Sequence, residues 1–227
     1  MNGYVRSKWV AENLVRAARE QGIPTAIHRP STISGHSVTG LGGGAVAYWQ
    51  FLRAVVATGT APEGLDWPEN LVPVDFVARA LVRLALRPDS AGQSFHLTNS
   101  STVRFAELVE HARSFGYSID PVDSARWRKE IEAAVVDGDG SGVDSAVASV
   151  AVVLAALDTE AAGPPPAFDV TTTSAVLGPD LVCPVVDAGL VELYLRGLVE
   201  TGQLPPPPTG SASTGSARTG SARTGSA

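Results

Sequence analysis

A single cysteine, Cys183, stands among 227 residues, so the chain has no internal disulfide framework and fits a reducing, cytoplasmic compartment. Long apolar runs are missing too. No stretch reaches the ~20 residues that a membrane-spanning helix needs. The most apolar segment, residues 143–157, carries Asp144 and Ser145 and is rich in alanine, which predicts a packed helix. Met1 is followed by neither a basic nor an apolar stretch, so no signal peptide is visible. The 17 Lys and Arg are outnumbered by 23 Asp and Glu, and the net charge of -6 gives no reason to expect nucleic acid as a partner. Lysine is scarcer still: only Lys8 and Lys129 occur, which makes Lys8 stand out from a random surface charge. His28, His36, His96 and His111 show no metal-ligand spacing, and no metal site is expected. The absences predict a cytoplasmic protein with neither membrane, nucleic-acid nor metal partners.

With 44% hydrophobic residues the chain can bury a core of one domain with a subdomain. Residues 3–21 read as a helix, with Trp9, Leu14, Val15 and Ala18 in apolar spacing and Gly22-Ile23-Pro24 as its stop. Residues 24–29 read as a short buried strand, and Pro30 forces an extended exit. A glycine-rich loop, residues 34–44, precedes a helix at 45–58. A strand at 71–74 leads to Asp75, a candidate N-cap for a helix running to Leu86, and Pro88 ends it. A strand at 94–98 follows, then helices at about 103–114, 123–136, 144–157 and 187–200. Strand–helix alternation up to residue 98 and mostly helix afterwards suggest the end of an α/β sheet followed by a helical cap. Pro205 to Pro208 and the repeated TGSAR-type units beyond cannot bury enough surface to offset chain entropy, so residues 206–227 are expected to be a disordered tail.

Tyr4 and Lys8 carry the most specific chemistry. Four residues apart on a helix, they share one face, where an ammonium can stabilise an ionised phenol and ready it for proton transfer. A half-buried tyrosine beside a surface lysine has the same spacing, so the context matters. Here the pair is followed by a Gly-x-Pro break, a strand, and Arg29-Pro30.

Taken in that order, the segment GYVRSKWVAENLVRAAREQGIPTAIHRPSTISGHSVTG resembles the extended short-chain dehydrogenase/reductases. Three more segments narrow the likeness: LVPVDFVARALVRLAL, SFHLTNSSTVRFAELVEHARSFGYSIDPVDSARWRKEI, and FDVTTTSAVL with CPVVDAGLVELYLRGLVETGQLPPP. Together they resemble the thioester reductase domains that terminate nonribosomal peptide and polyketide synthases, and the related carboxylic acid reductases. The resemblance covers residues 3–206. It implies an α/β fold: the C-terminal half of an NAD(P)-binding, Rossmann-type extended short-chain reductase, with a mostly helical substrate-binding cap. Residues 1–98 would be a truncated half of the catalytic domain and residues 99–205 the substrate-binding subdomain. The cofactor implied is NADPH, and the partner is a phosphopantetheinyl carrier protein bearing an acyl thioester, released as aldehyde or alcohol. By the same likeness Tyr4 protonates the carbonyl oxygen that receives hydride, Lys8 also holds the nicotinamide ribose, and Pro30 and Ser31 pack near the nicotinamide. Ser31 departs from the Pro-Gly usual in that family. The family's dinucleotide-binding turn and the Ser or Thr partner of its Tyr precede this pair, and both are absent from this sequence. Two other readings stay open: an inactive remnant or carrier-protein-binding module, and a different extended reductase such as a nucleotide-sugar epimerase.

Several apparent motifs lack their physical context. Gly40 to Ala45 fits a dinucleotide turn by letter, but its strand ends about ten residues earlier, so a flexible loop is expected. Residues 137–142 imitate the start of a calcium loop whose twelfth position is Ala148 rather than Glu, so a solvated turn is expected. Cys183 reads as a packed thiol, and the four tryptophans read as core or cap. Trp49, beside Tyr48 and Phe51, is a candidate for lining an acyl channel.

Overall fold

The structure, a computed structural model, describes residues 3–44, 46–64, 66–137 and 168–208. The calcium-loop-like turn past Asp137, the helix expected at 144–157 and the tail past Pro208 lie outside these residues. The chain begins with α1 (Gly3–Glu20), β1 (Ile27–Pro30) and β2 (Thr32–Ser34), followed by α2 (Ala47–Thr58) and β3 (Thr60–Pro62). Next come β4 (Pro68–Glu69), β5 (Leu71–Pro73), α3 (Val74–Ala85), a 3-10 turn at Pro88–Ser90 and β6 (Ser94–Leu97). The remainder comprises β7 (Val103–Arg104), α4 (Phe105–Phe115), β8 (Asp120–Val122), α5 (Ser124–Asp137), α6 (Thr171–Leu177) and α7 (Ala188–Glu200). Among the described residues no helix is long and apolar enough to cross a membrane.

Local sequence accounts for most of these boundaries. α1 runs without Gly or Pro from Tyr4 to Glu20 and stops at Gly22, whose φ of 84° suits only glycine. α4 ends at Gly116, where Tyr117 N donates to Ala112 O at 3.1 Å. Asp187 caps α7, its carboxylate accepting from Leu190 N at 3.0 Å. Asp75 was expected to cap α3 in the same way and does not. Pro73 occupies the N-cap, and Asp75 lies inside the first turn. Its carboxylate accepts instead from Ser37 N at 2.8 Å and Ser37 Oγ at 2.7 Å, so it ties the glycine-rich loop to α3.

The pairing of short parallel strands shapes the site. β1 runs parallel to β6, in register from Ile27 opposite Ser94 to Pro30 opposite Leu97. One residue later the chain changes partner, and β2 runs parallel to β5, from Thr32 opposite Leu71 to Ser34 opposite Pro73. Ser31 is the fork: its N–H still donates to Leu97 O at 3.1 Å, whereas Thr32 N donates to Asn70 O at 3.1 Å. Successive residues of β1 face opposite ways. His28 stacks on Phe95, with ring centroids 5.6 Å apart, on the side packed by Phe76, Ala80 and Leu84 of α3. Arg29 and His96 point to the other side, where α1 lies. Among the described residues the remaining edge of β1 pairs with no strand.

Two apolar clusters form the core. One joins α3, β5 and β6 to Leu177 and Leu181. The larger joins α2, α4, α5 and α7, with Trp49, Phe51, Phe105, Trp127 and Tyr194 almost fully enclosed. Each interleaves early and late parts of the chain. Trp127 Nε1 donates to Thr60 O at 3.0 Å, so even the polar atom of that large ring is satisfied. Tyr48, Trp49 and Phe51 are sealed inside this core, where they brace α2 rather than line an acyl channel. Trp9 departs in the opposite sense. Expected in core or cap, it is 65% exposed.

Candidate active site

α1 carries Tyr4 and Lys8 on one face, as their spacing requires, and Lys8 Nζ lies 5.5 Å from the centroid of the Tyr4 ring. Ser7 Oγ donates to Tyr4 O at 2.8 Å within the first turn. No residue of α1 is buried, and Tyr4 is 71% exposed. Charge therefore supplies much of the attachment that apolar burial gives most helices. Glu12, four residues past Lys8 on the same stripe, accepts from Arg29 Nε at 3.0 Å and Arg29 Nη2 at 2.5 Å. It also accepts from Arg16. The Arg29 guanidinium, followed by that of Arg16, holds the Glu12 carboxyl at about 2, well below its ordinary value. A turn further on, Arg19 Nη2 donates to Thr25 O at 3.4 Å and Gln93 O at 3.3 Å.

The fork at Ser31 opens a cleft of about 450 Å3 beyond the carboxyl ends of β1 and β6. Its lining includes Ser31, Glu69, Asn70, Thr98, Ser100 and Phe168. Parallel α/β sheets bind ligands at such a position, because diverging strands leave room there. The two walls are joined by reciprocal amide bonds. Asn70 Nδ2 donates to Asn99 O at 2.9 Å and Ser101 O at 3.1 Å, while Asn99 N donates to Asn70 Oδ1 at 2.8 Å. Buried Asn99 also donates through Nδ2 to Leu71 O at 3.0 Å and Pro184 O at 2.8 Å. Sequence reasoning assigned these asparagines no role. The only signal in the sequence was a polar residue at each strand end.

A smaller cavity of about 130 Å3 shares Thr98, Ser100 and Val170 with the cleft and reaches His96 and Cys183. Burial, with the charge of Asp75, pushes the Cys183 thiol up to about 12, which leaves it inert as a nucleophile. Among the described residues no group of His, Cys, Asp and Glu could hold a metal ion.

Of the four residues expected to form the site, Ser31 lines the cleft. Pro30 ends β1 with its ring exposed, and Tyr4 and Lys8 stand on α1 outside the lining. Because the Ser31 amide is committed to Leu97 O, what Ser31 offers a ligand is its hydroxyl, alongside those of Thr98 and Ser100. Such a rim suits a carboxamide or ribose hydroxyls, the polar groups of a nicotinamide nucleoside. The glycine-rich loop does not suit the pyrophosphate. It joins β2 to α2 over a dozen residues, and it is clasped rather than flexible. Gly40 has φ 73° and packs so closely on α7 that a Cβ there would meet Leu193 O at 2.2 Å.

Forked parallel strands with a polar cleft at their carboxyl ends, flanked by helices on both faces, define a Rossmann-like α/β protein. The NAD-binding family model described as "Male sterility protein" matches residues 1–81. An isonitrile lipopeptide synthase from Streptomyces coeruleorubidus is 35% identical over 217 residues, which is 90% of this chain and 14% of the synthase. A linear gramicidin synthase from Brevibacillus parabrevis is 30% identical over 203 residues, 89% of this chain and 4% of that synthase. The crystal structure of the terminal R domain from the myxalamid PKS-NRPS pathway superposes with a TM-score of 0.77 and 36% identity, over 91% of this chain and 52% of that domain. By sequence and by fold the chain belongs to the terminal reductase domains of such synthases, a branch of the extended short-chain reductases. It spans about half the length of the solved reductase domain and a small part of each synthase. A nicotinamide nucleotide is the cofactor type of this family.

Proposed function

We propose that the chain forms the catalytic-helix and substrate-side half of an NADPH-dependent thioester reductase. Its substrate is an acyl or peptidyl thioester on a phosphopantetheinyl carrier protein, released as aldehyde or alcohol. Residues 1–98 serve as the C-terminal half of the Rossmann-type catalytic domain, and residues 99–205 form the substrate-binding subdomain. Tyr4 delivers a proton to the carbonyl oxygen, and the Lys8 ammonium stabilises the phenolate left behind. The nicotinamide nucleotide, held by Tyr4, Lys8, Pro30 and Ser31, supplies the hydride. One observation carries this reading: the Tyr4–Lys8 stripe on α1 continues into Glu12, which is bonded to Arg29 two residues before the cleft residue Ser31. The exposed Tyr4, Trp9 and Leu14 of α1 and the open edge of β1 offer a complementary dinucleotide-binding half a surface on which to complete the sheet.

The exposure of Tyr4, outside the cleft lining, favours a second reading, in which the chain is a carrier-protein-binding module without turnover. Titrating the chain with NADPH, alone and with the complementary half of a related reductase domain, separates the two. The reductase reading expects micromolar NADPH binding when both halves are present. Carrier-protein binding with no NADPH binding in either mixture would leave only the module.

A further inference from the structure

Arg29 makes more contacts than a strand residue needs. Its Nε and Nη2 grip Glu12 of α1, and its Nη1 lies 3.0 Å from Nε2 of His96, its partner across β6. A guanidinium has no acceptor and does not lose its proton, so in this contact the His96 nitrogen must accept. The imidazole is then neutral, with its proton on Nδ1. Nδ1 lies 3.3 Å from Asp169 O, a carbonyl that only accepts, so both ring nitrogens agree on one tautomer. The His96 ring also packs on Phe168, centroids 5.3 Å apart, and Phe168 and Val170 flank Asp169 in the cleft wall. A continuous polar chain thus runs from α1 through Glu12, Arg29 and His96 to the segment that walls the cleft.

We propose that Arg29 and His96 are positioning residues, which set the helix bearing Tyr4 and Lys8 against the cleft wall through a histidine locked in its Nδ1–H form. The functional meaning rests on the reading of Tyr4 and Lys8 as the catalytic pair. The physical claim does not. α1 buries no residue, so its register on the sheet depends on this ion pair more than on apolar contact. The other charged groups facing the network are Arg16, beside Glu12, and the Asp169 carboxylate, which accepts from Thr171 N at 2.8 Å.

Nitrogen-15 NMR of the histidine rings and amide hydrogen exchange of the full chain test this without reference to activity. Wild type is expected to show His96 protonated at Nδ1. Arg29→Met is expected to speed exchange across residues 3–20 by about tenfold or more, with α3 and β6 amides unchanged. The paired exchange Glu12→Arg with Arg29→Glu restores opposite charges. It should return protection to α1 and move the His96 proton to Nε2, now facing a carboxylate. A wild-type His96 protonated at Nε2, or α1 protection unchanged in Arg29→Met, would overturn the proposal. So would loss of α3 and β6 protection together with α1, because Arg29 would then be holding the whole fold.

Discussion

Between two guanidinium groups, the Glu12 carboxyl titrates at about 2 instead of 4.5, chiefly because Arg29 bonds it in the folded chain. A carboxyl whose folded value lies below its unfolded value binds fewer protons when folded. Its contribution is therefore complete above about 4.5 and is lost as pH falls toward about 2. Hydrogen exchange of α1 measured down this range is expected to rise through an acid limb, and Glu12→Gln should flatten that limb by removing the titrating group. An acid limb of equal size in Glu12→Gln would assign it to other carboxyls. Legibility at this scale was uneven. Tyr4 and Lys8 are readable because helix geometry turns a spacing of four into a shared face. Asn70 and Asn99 were not, because their role depends on where carbonyls distant in the chain fall, such as those of Asn99, Ser101, Leu71 and Pro184.

Helices were legible nearly to the residue where punctuation is strong: α1 before Gly22, α2 before Gly59, α4 before Gly116. The strands were less so. The strand expected at 24–29 begins at Ile27, because its extent is fixed by the register with Ser94 to Leu97 rather than by its own composition. β4 and β7, two residues each, pair with one another across more than thirty positions and leave no periodicity to read. Apolar spacing in α1 foretold the helix but not its exposure. A pattern reveals which residues share a face, not whether anything covers it. The glycine-rich loop shows the reverse. Its composition suggested flexibility, whereas Gly35, Gly40 and Gly197 allow it and α7 to approach closer than any side chain would permit. Gly40→Ala adds a methyl aimed at Leu193 O at a φ that L residues disfavour. It is expected to lower unfolding stability by about 2 kcal/mol or more, read as a shift in the urea midpoint without a change in slope. A midpoint equal to wild type would mean that the loop is not clasped in solution.

For the whole molecule, alternation of strands and helices up to residue 98 and the four family-like segments led to the extended short-chain reductases, and the solved reductase domain matches 91% of the chain. The way the cores interleave was not legible. α2 packs with helices that follow it by fifty residues or more, and Leu177 and Leu181 return to cover α3 and β6. Long-range burial of this kind is decided by shape, which a linear pattern does not record. The molecule leaves α1's outer face and one edge of β1 uncovered, and thioester reduction needs a dinucleotide-binding half at that surface. Turnover of a carrier-bound thioester by the two halves together, with and without Tyr4→Phe, tests this function most directly. Tyr4→Phe is expected to cut turnover about a hundredfold or more while leaving NADPH affinity unchanged, since only the proton donor is lost. Turnover equal to that of the unsubstituted protein would contradict the assignment of Tyr4 as the acid and, with it, the reading of α1 as the catalytic helix.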